Sequence, residues 1–155
     1  MAGKIDKRLK ELGIALPEPA APVANYVATV KTGKLIFVSG QVPVVAGEFK
    51  YVGKLGAGLS VEDGQAAARL CGINILAQLK LALDGDLDRV SQVVKLGGFV
   101  NSAPDFTQQP QVINGVSDLM VEVFGDKGRH ARAAVSAGAL PVGVAVEVDA
   151  VVEVA

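Results

Sequence analysis

Apolar positions in the 155-residue chain recur at two periods, and the switches between them mark out its elements. In KIDKRLKELG, Ile5, Leu9 and Leu12 fall at i, i+4 and i+7, which predicts a short amphipathic helix closed by Gly13. LPEPAAP (16–22) cannot continue that helix, because its prolines lack the amide donor a helix interior needs. YVATV and LIFVSG flank Lys31-Thr32-Gly33-Lys34, so 26–39 reads as a β-hairpin whose glycine supplies the turn. Residues 43–59 mix glycines with both polarities and read as a loop or ragged edge. Ser60-Val-Glu-Asp offers an N-cap and first-turn carboxylates. Ala68, Cys71, Ile75, Leu79 and Leu83 then mark the buried face of a long helix over 61–83. RVSQVVKLGGFV (89–100) predicts a strand in which Gly97-Gly98 signals a bulge or the close approach of another backbone. A second helical stripe, Val112/Ile113, Val116, Leu119/Met120 and Val123, starts at Pro110 and stops at Gly125. ARAAVSA predicts a strand, LPVG (140–143) a turn, and residues 144–154 alternate with period two.

The resulting order, ββ-α-β-α-ββ behind a short N-terminal helix, predicts an α+β fold with two helices packed on one face of a mixed sheet. Residues 1–24 hold the N-terminal helix and the proline-rich connection, and 25–155 form a single domain. In the last strand Val144, Val146, Val148, Ala150, Val152 and Val154 share the face expected to meet the helices. The other face, Ala145, Glu147, Asp149, Val151, Glu153 and Ala155, is too apolar for a solvated surface and too charged for a core, a mixture that suits a subunit interface with polar clefts.

Composition narrows the function classes. Fifteen basic and sixteen acidic residues leave a net charge of −1, and the basic ones are scattered, which counts against nucleic acid as a partner. One cysteine and one histidine exclude an intrachain disulfide and a cysteine zinc cage, so neither a metal nor an oxidising compartment is expected. No apolar run approaches the roughly 20 residues that cross a bilayer, and no apolar signal core follows the N-terminal lysines, so a cytoplasmic protein is expected. A mean hydropathy of +0.40 without tryptophan leaves more Val, Ala and Leu than so small a monomer readily hides, which predicts self-association.

Arg132 in GRHARAAV stands among alanines too small to cover it. It suits either a structural ion pair with a carboxylate on a neighbouring strand or a fork of N–H donors for a ligand carboxylate, and spacing leaves both open. From pattern alone Glu147 and Asp149 read as a wet strand face, since charged residues mostly stay exposed. His130, with no carboxylate at a telling spacing, reads as a turn or packing residue, Cys71 as a core thiol, and Ser39-Gly40-Gln41 as a strand-end turn or ligand loop.

Five stretches, NYVATVKTGKLIFVSGQVP (25–43), GFVNSAPDF (98–106), VIN (112–114), HARAAV (130–135) and ALPVGVAVEVDA (139–150), resemble in order and spacing the reactive-intermediate deaminases, the RidA or YjgF-like family once called L-PSP endoribonucleases. The resemblance implies a chorismate-mutase-like fold, a homotrimer with ligand clefts between subunits, and hydrolysis of 2-imino or enamino acids to 2-keto acids and ammonia without cofactor or metal. Carried over by position, it makes Arg132 the carboxylate anchor and Glu147, on the following strand, the water-orienting residue. Tyr26, Ser39 with Gly40, Asn114 and the main chain of Ala134 become substrate contacts. Asn114 lies off its helix's apolar stripe, and pattern alone calls it solvated. Ser136 stands where the family commonly has glutamate, and Ala134 where it has cysteine or a similar residue. A non-catalytic trimer that binds or senses small carboxylates is the main alternative; ribonuclease activity is a further one, against which the absence of a basic, aromatic-interleaved patch counts.

Overall fold

Hydrogen bonding of β-branched segments around one apolar layer organises the chain, whose residues 2–155 are described by a computed structural model. The elements are α1 (Lys4–Glu11), β1 (Thr29–Thr32), β2 (Leu35–Gln41), β3 (Val44–Val45), β4 (Glu48–Phe49), β5 (Lys54–Leu55), β6 (Gly58–Leu59), α2 (Val61–Ala82), β7 (Val90–Asn101), α3 (Gln109–Phe124), β8 (Ala131–Ala137) and β9 (Val146–Val154). The main sheet runs β1-β2-β9-β7-β8, antiparallel throughout except for the parallel pair β7–β8, which α3 connects as a crossover. It is the mixed α+β arrangement expected, with α2 and α3 on one face.

Local chemistry explains the boundaries. The hairpin turns at Gly33 (φ +57°) with Thr32 opposite Leu35, although pairing begins at Thr29 rather than Tyr26, which lies in a bend ahead of the strand. Ser60 closes a capping box: its hydroxyl accepts from the Asp63 amide (3.1 Å) while Asp63 accepts from the Ser60 amide (3.0 Å), so two orphan donors of α2 are satisfied. Residues 43–59 are more ordered than their composition suggests. They form two miniature strand pairs, β3–β4 and β5–β6, tied down where buried Asn74 of α2 donates to the carbonyls of Val42 (2.9 Å) and Val44 (3.0 Å).

The core lies between the sheet and the two helices. Val146, Val148, Ala150, Val152 and Val154 of β9 meet Ile75, Leu79, Ile113, Val116 and Leu119 there, and Leu9 of α1 joins the same cluster. Cys71 is fully buried in it, with Sγ 3.6 Å from the Val146 carbonyl, and burial pushes its thiol well up, as a core thiol requires. Two expectations need correction. Ala145 does not sit on the mixed face: strand pairing of β9 starts one residue later, and Ala145 is buried with its amide on the Tyr51 carbonyl (2.9 Å). Gly97-Gly98 is no bulge, because β7 breaks register earlier, between Val90 and Gln92 and between Val93 and Lys95. Nor does another backbone approach it; a side chain does: a Cβ on Gly98 would lie 2.6 Å from Ile113 Cγ1, so Ile113 of α3 rests directly on the β7 backbone.

Gly98→Val should therefore force α3 off the sheet and lower stability by about 1–3 kcal/mol. Urea unfolding would show this as a lower midpoint; an unchanged midpoint would mean that Ile113 repacks freely.

Candidate functional site

The candidate residues form two groups on opposite sides of the sheet. β8 is an edge strand paired only to β7, with Arg132 opposite Leu96, Ala134 opposite Gly98 and Ser136 opposite Val100. Those partners are buried beneath the helices, so Arg132 and Ala134 share the helix-facing side, where Ala134 packs against the core. Arg132 Nη1 donates to Asn114 Oδ1 (2.9 Å) and Ser117 Oγ (3.0 Å), and Nη2 donates to the Pro110 carbonyl (3.2 Å). All three acceptors are neutral, and all three belong to α3. The ion pair with a strand carboxylate is absent among the described residues: β7 offers leucine and glycine on this face, not an acid. Three of the guanidinium's five N–H donors are thus engaged, and Nε with one N–H of Nη2 remains, the number a bidentate carboxylate takes.

Asn114 is half-buried rather than solvated, and its carbonyl holds the arginine. Two further members of this group were not legible as such. Ser117 follows Asn114 by one helical turn, a spacing that would have placed it on the same face. His130 bonds Ser117 Oγ through Nε2 (2.8 Å) and the Gly128 carbonyl through Nδ1 (2.6 Å), a more specific task than filling space. Ser136 bonds Ser102 (2.7 Å) instead of supplying the charge a glutamate would.

The second group surrounds Glu147. β9 lies between β2 and β7, and Glu147 is opposite Phe99 on the face away from the helices. Glu147 therefore does not neighbour Arg132: β8 precedes β9 in the chain, but β7 separates them in the sheet, and the two side chains leave it on opposite faces. Toward β2 the register slips between Val38 and Gln41, a bulge formed by Ser39 and Gly40. A Cβ on Gly40 would lie 2.9 Å from Glu147 Cδ, so the missing side chain leaves room for the carboxylate against the bulge. Ser39 Oγ donates to the Val27 carbonyl (2.7 Å), which leaves its lone pairs to accept from a ligand N–H. Tyr26, exposed, shares a cavity of about 110 Å³ with Ser39 and Gly40.

That volume is well below the roughly 300–1,000 Å³ of a small-molecule site. A larger cavity, about 620 Å³, lies between α1, the proline-rich connection and the end of α2, but it contains none of these residues; an apolar wall of Leu9, Ile14 and Leu16 is rimmed there by charges of both signs, Asp6, Lys10, Glu18, Lys80 and Asp84. Among the described residues no three His, Cys, Asp or Glu side chains cluster as a metal site would need, and no helix is long and apolar enough to cross a membrane.

The helix-backed mixed sheet, its crossover and its polar edges define an α+β domain of the chorismate-mutase-like kind. The family model described as "YjgF/chorismate_mutase-like, putative endoribonuclease" matches residues 6–154. The chain is 53% identical over 153 residues to protein TCP17 of Trypanosoma cruzi, a match covering 98% of this chain and 95% of that one. It is similar to the crystal structure of Atu1372 from Agrobacterium tumefaciens at TM-score 0.92 and 49% identity, over 97% of this chain and 92% of the other. RidA from an Antarctic Psychrobacter superposes at TM-score 0.62 with 26% identity, over 88% and 94%. The chain belongs to the RidA/YjgF-like family.

Burial, and next to it the charge of Asp149, raises the Glu147 carboxyl above the ordinary carboxylate range. Because its pKa is higher folded than unfolded, the native chain binds more protons in between; the contribution favours folding at low pH and is lost as pH rises through the native value. Glu147→Gln should accordingly be at least as stable as the parent at pH 7, an advantage that fades toward about pH 3, where the Glu147 carboxyl is neutral both folded and unfolded. Urea unfolding across that range checks it, and a less stable variant at pH 7 would reveal a favourable partner for the charge.

Proposed function

We propose that the protein is a cytoplasmic hydrolase that deaminates 2-imino and enamino acids to 2-keto acids and ammonia, and that it works as a homotrimer with its sites between subunits. The observation that carries this reading is the division of the site: a cation with two free donors stands on the helix side of β8, and a half-buried carboxylate with a raised pKa stands on the open side of β9. One chain cannot apply both to one small molecule, whereas the edge of one copy set against the open face of another can. The open face is suited to such cover, since Phe37 and Val135 remain 45% and 46% exposed on it. Residues 25–155 carry both halves of the site, and residues 1–24 add α1 to the core.

Imine hydrolysis needs little beyond orientation, a placed water and proton movement. Arg132 binds the substrate carboxylate with Nε and Nη2 and so fixes the imine carbon, a positioning effect able to supply several kcal/mol of the barrier. Glu147 of another copy takes a proton from water as its oxygen bonds to the carbon of the protonated imine, and the C=N pair moves onto nitrogen to leave a neutral carbinolamine. The same carboxyl then passes that proton to the amine, the C–N bond breaks as the hydroxyl oxygen forms C=O, and the hydroxyl proton goes to the departing ammonia, which leaves as ammonium with the keto acid formed. A carboxylate whose pKa is raised by burial is better matched to both transfers than an ordinary one. Tyr26, the lone pairs of Ser39, the Gly40 backbone and the Ala134 main chain supply the remaining hydrogen bonds, and Asn114 keeps the arginine in place.

Freshly generated iminopropionate, with keto-acid release followed against the spontaneous rate, tests the assignment. Arg132→Lys should lose about 100-fold or more in kcat/KM, because an ammonium cannot reproduce the planar fork; a wild-type rate would refute the anchor. Glu147→Gln should lower kcat by about 10²–10⁴-fold with pyruvate binding intact. Equal loss of binding and turnover would make Glu147 structural, and binding without any acceleration in the parent would make the protein a carboxylate binder and not an enzyme.

A further inference from the structure

We infer that His130 is a positioning residue which, through the Ser117 hydroxyl, determines the edge of Arg132 offered to a ligand carboxylate. The inference rests on the reading of Arg132 as the anchor. Its basis is a hydrogen-bonded chain in which, with the imidazole neutral, only one set of directions is consistent. The Gly128 carbonyl can only accept, so His130 Nδ1, 2.6 Å away, carries the hydrogen. In the neutral ring Nε2 is then an acceptor, and Ser117 Oγ, 2.8 Å distant, donates to it. With its hydrogen committed, the hydroxyl presents lone pairs to Arg132 Nη1 at 3.0 Å.

Without His130 the Ser117 hydroxyl is free to rotate, and its hydrogen can point toward the guanidinium as readily as away from it. The backbone contact at Gly128 anchors the chain of bonds at its far end, and Gly128 is itself buried against the last turns of α3: a Cβ there would collide with the Met120 carbonyl. Nη1 is therefore tethered to α3 by Asn114 and by a hydroxyl of fixed polarity. Rotation of the guanidinium about its Nε–Cζ axis, or withdrawal of the side chain, would break both bonds. The free donors, Nε and Nη2, stay together on the opposite edge, where they can receive two carboxylate oxygens at once. The ring need not touch substrate to have this effect.

The whole protein is used for the test, with pyruvate as the binding probe and iminopropionate as substrate. His130→Phe keeps the ring's shape and removes both nitrogens. It should weaken pyruvate binding and raise KM about five- to twenty-fold, the loss expected of about one neutral hydrogen bond, while kcat stays within about two-fold. Ser117→Ala should do the same and Ser117→Thr should restore binding. In the Arg132→Lys background His130→Phe should have no further effect on the pyruvate Kd, since its action passes through the guanidinium. An unchanged Kd in a folded His130→Phe protein, or the same loss with Arg132→Lys already present, would overturn the inference while leaving the anchor in place. Parent-like pyruvate binding by Arg132→Lys alone would instead remove the anchor, and this inference with it.

Discussion

Burial of the even-numbered residues of β9 beneath α2 and α3 constrains everything else in the sheet. The strand is hydrogen-bonded on both edges, to β2 and to β7, and Val146, Val148, Val152 and Val154 are almost wholly removed from water. Because side chains alternate, that burial commits Glu147, Asp149 and Glu153 to the other face, and a one-residue slip would exchange valines for carboxylates in the core. β7 transmits the register to β8, so Leu96 under the helices puts Arg132 on their side. Neighbouring strands lie about 4.8 Å apart, and with β7 intervening no rotamer change brings the Arg132 and Glu147 side chains around the sheet to each other.

Each charge is thus left in a setting that is poor for a lone chain. Arg132 is held by three neutral acceptors, which orient it without neutralising it. Glu147 is half-buried beside another carboxylate, and no hydrogen bond to its oxygens is found among the described residues. Had the sequence been arranged for stability alone, a carboxylate opposite Arg132 and an apolar residue at 147 would serve better. Unfavourable placement of this sort is common where a side chain must later engage a ligand. Gly40 adds to the pattern, since the bulge and the missing Cβ make space for a carboxylate that would be easier to leave in water.

Much of the fold was legible because period and capping agree along the chain: the Ser60 capping box, the Pro110 start and Gly125 stop of α3, and the alternation from Val146 onward each point to one element. Residues 43–59 were illegible because their strands are only two residues long, too short to show a period, and the segment is held partly from outside, by Asn74 on the Val42 and Val44 carbonyls and by the Gly53 amide on the Gly143 carbonyl. The bulge at Ser39-Gly40 likewise arises from the pairing partner, which no local pattern reveals. Site residues were located by resemblance; their alternation predicted faces, yet the opposition of Arg132 and Glu147 depended on β7 entering between strands adjacent in sequence. His130 is not legible as a site residue because its partners are a hydroxyl and a backbone carbonyl, which no spacing of charged residues marks.

The division of the site also bears on how specificity can arise under the proposed trimeric reading. The anchor half is rigid: three protein acceptors fix the guanidinium, and the sheet and α3 fix those acceptors. The Glu147 half abuts the Ser39-Gly40 bulge, and that bulge shares a cavity with Tyr26, exposed and ahead of β1, and with residues 20–22 of the connection that follows α1. A carboxylate common to every 2-imino acid suits the rigid half, because it is the invariant part of such substrates. The variable side chain of the substrate would then meet the half whose walls belong to a bend and a loop, where shape can change without disturbing the register that holds either charge.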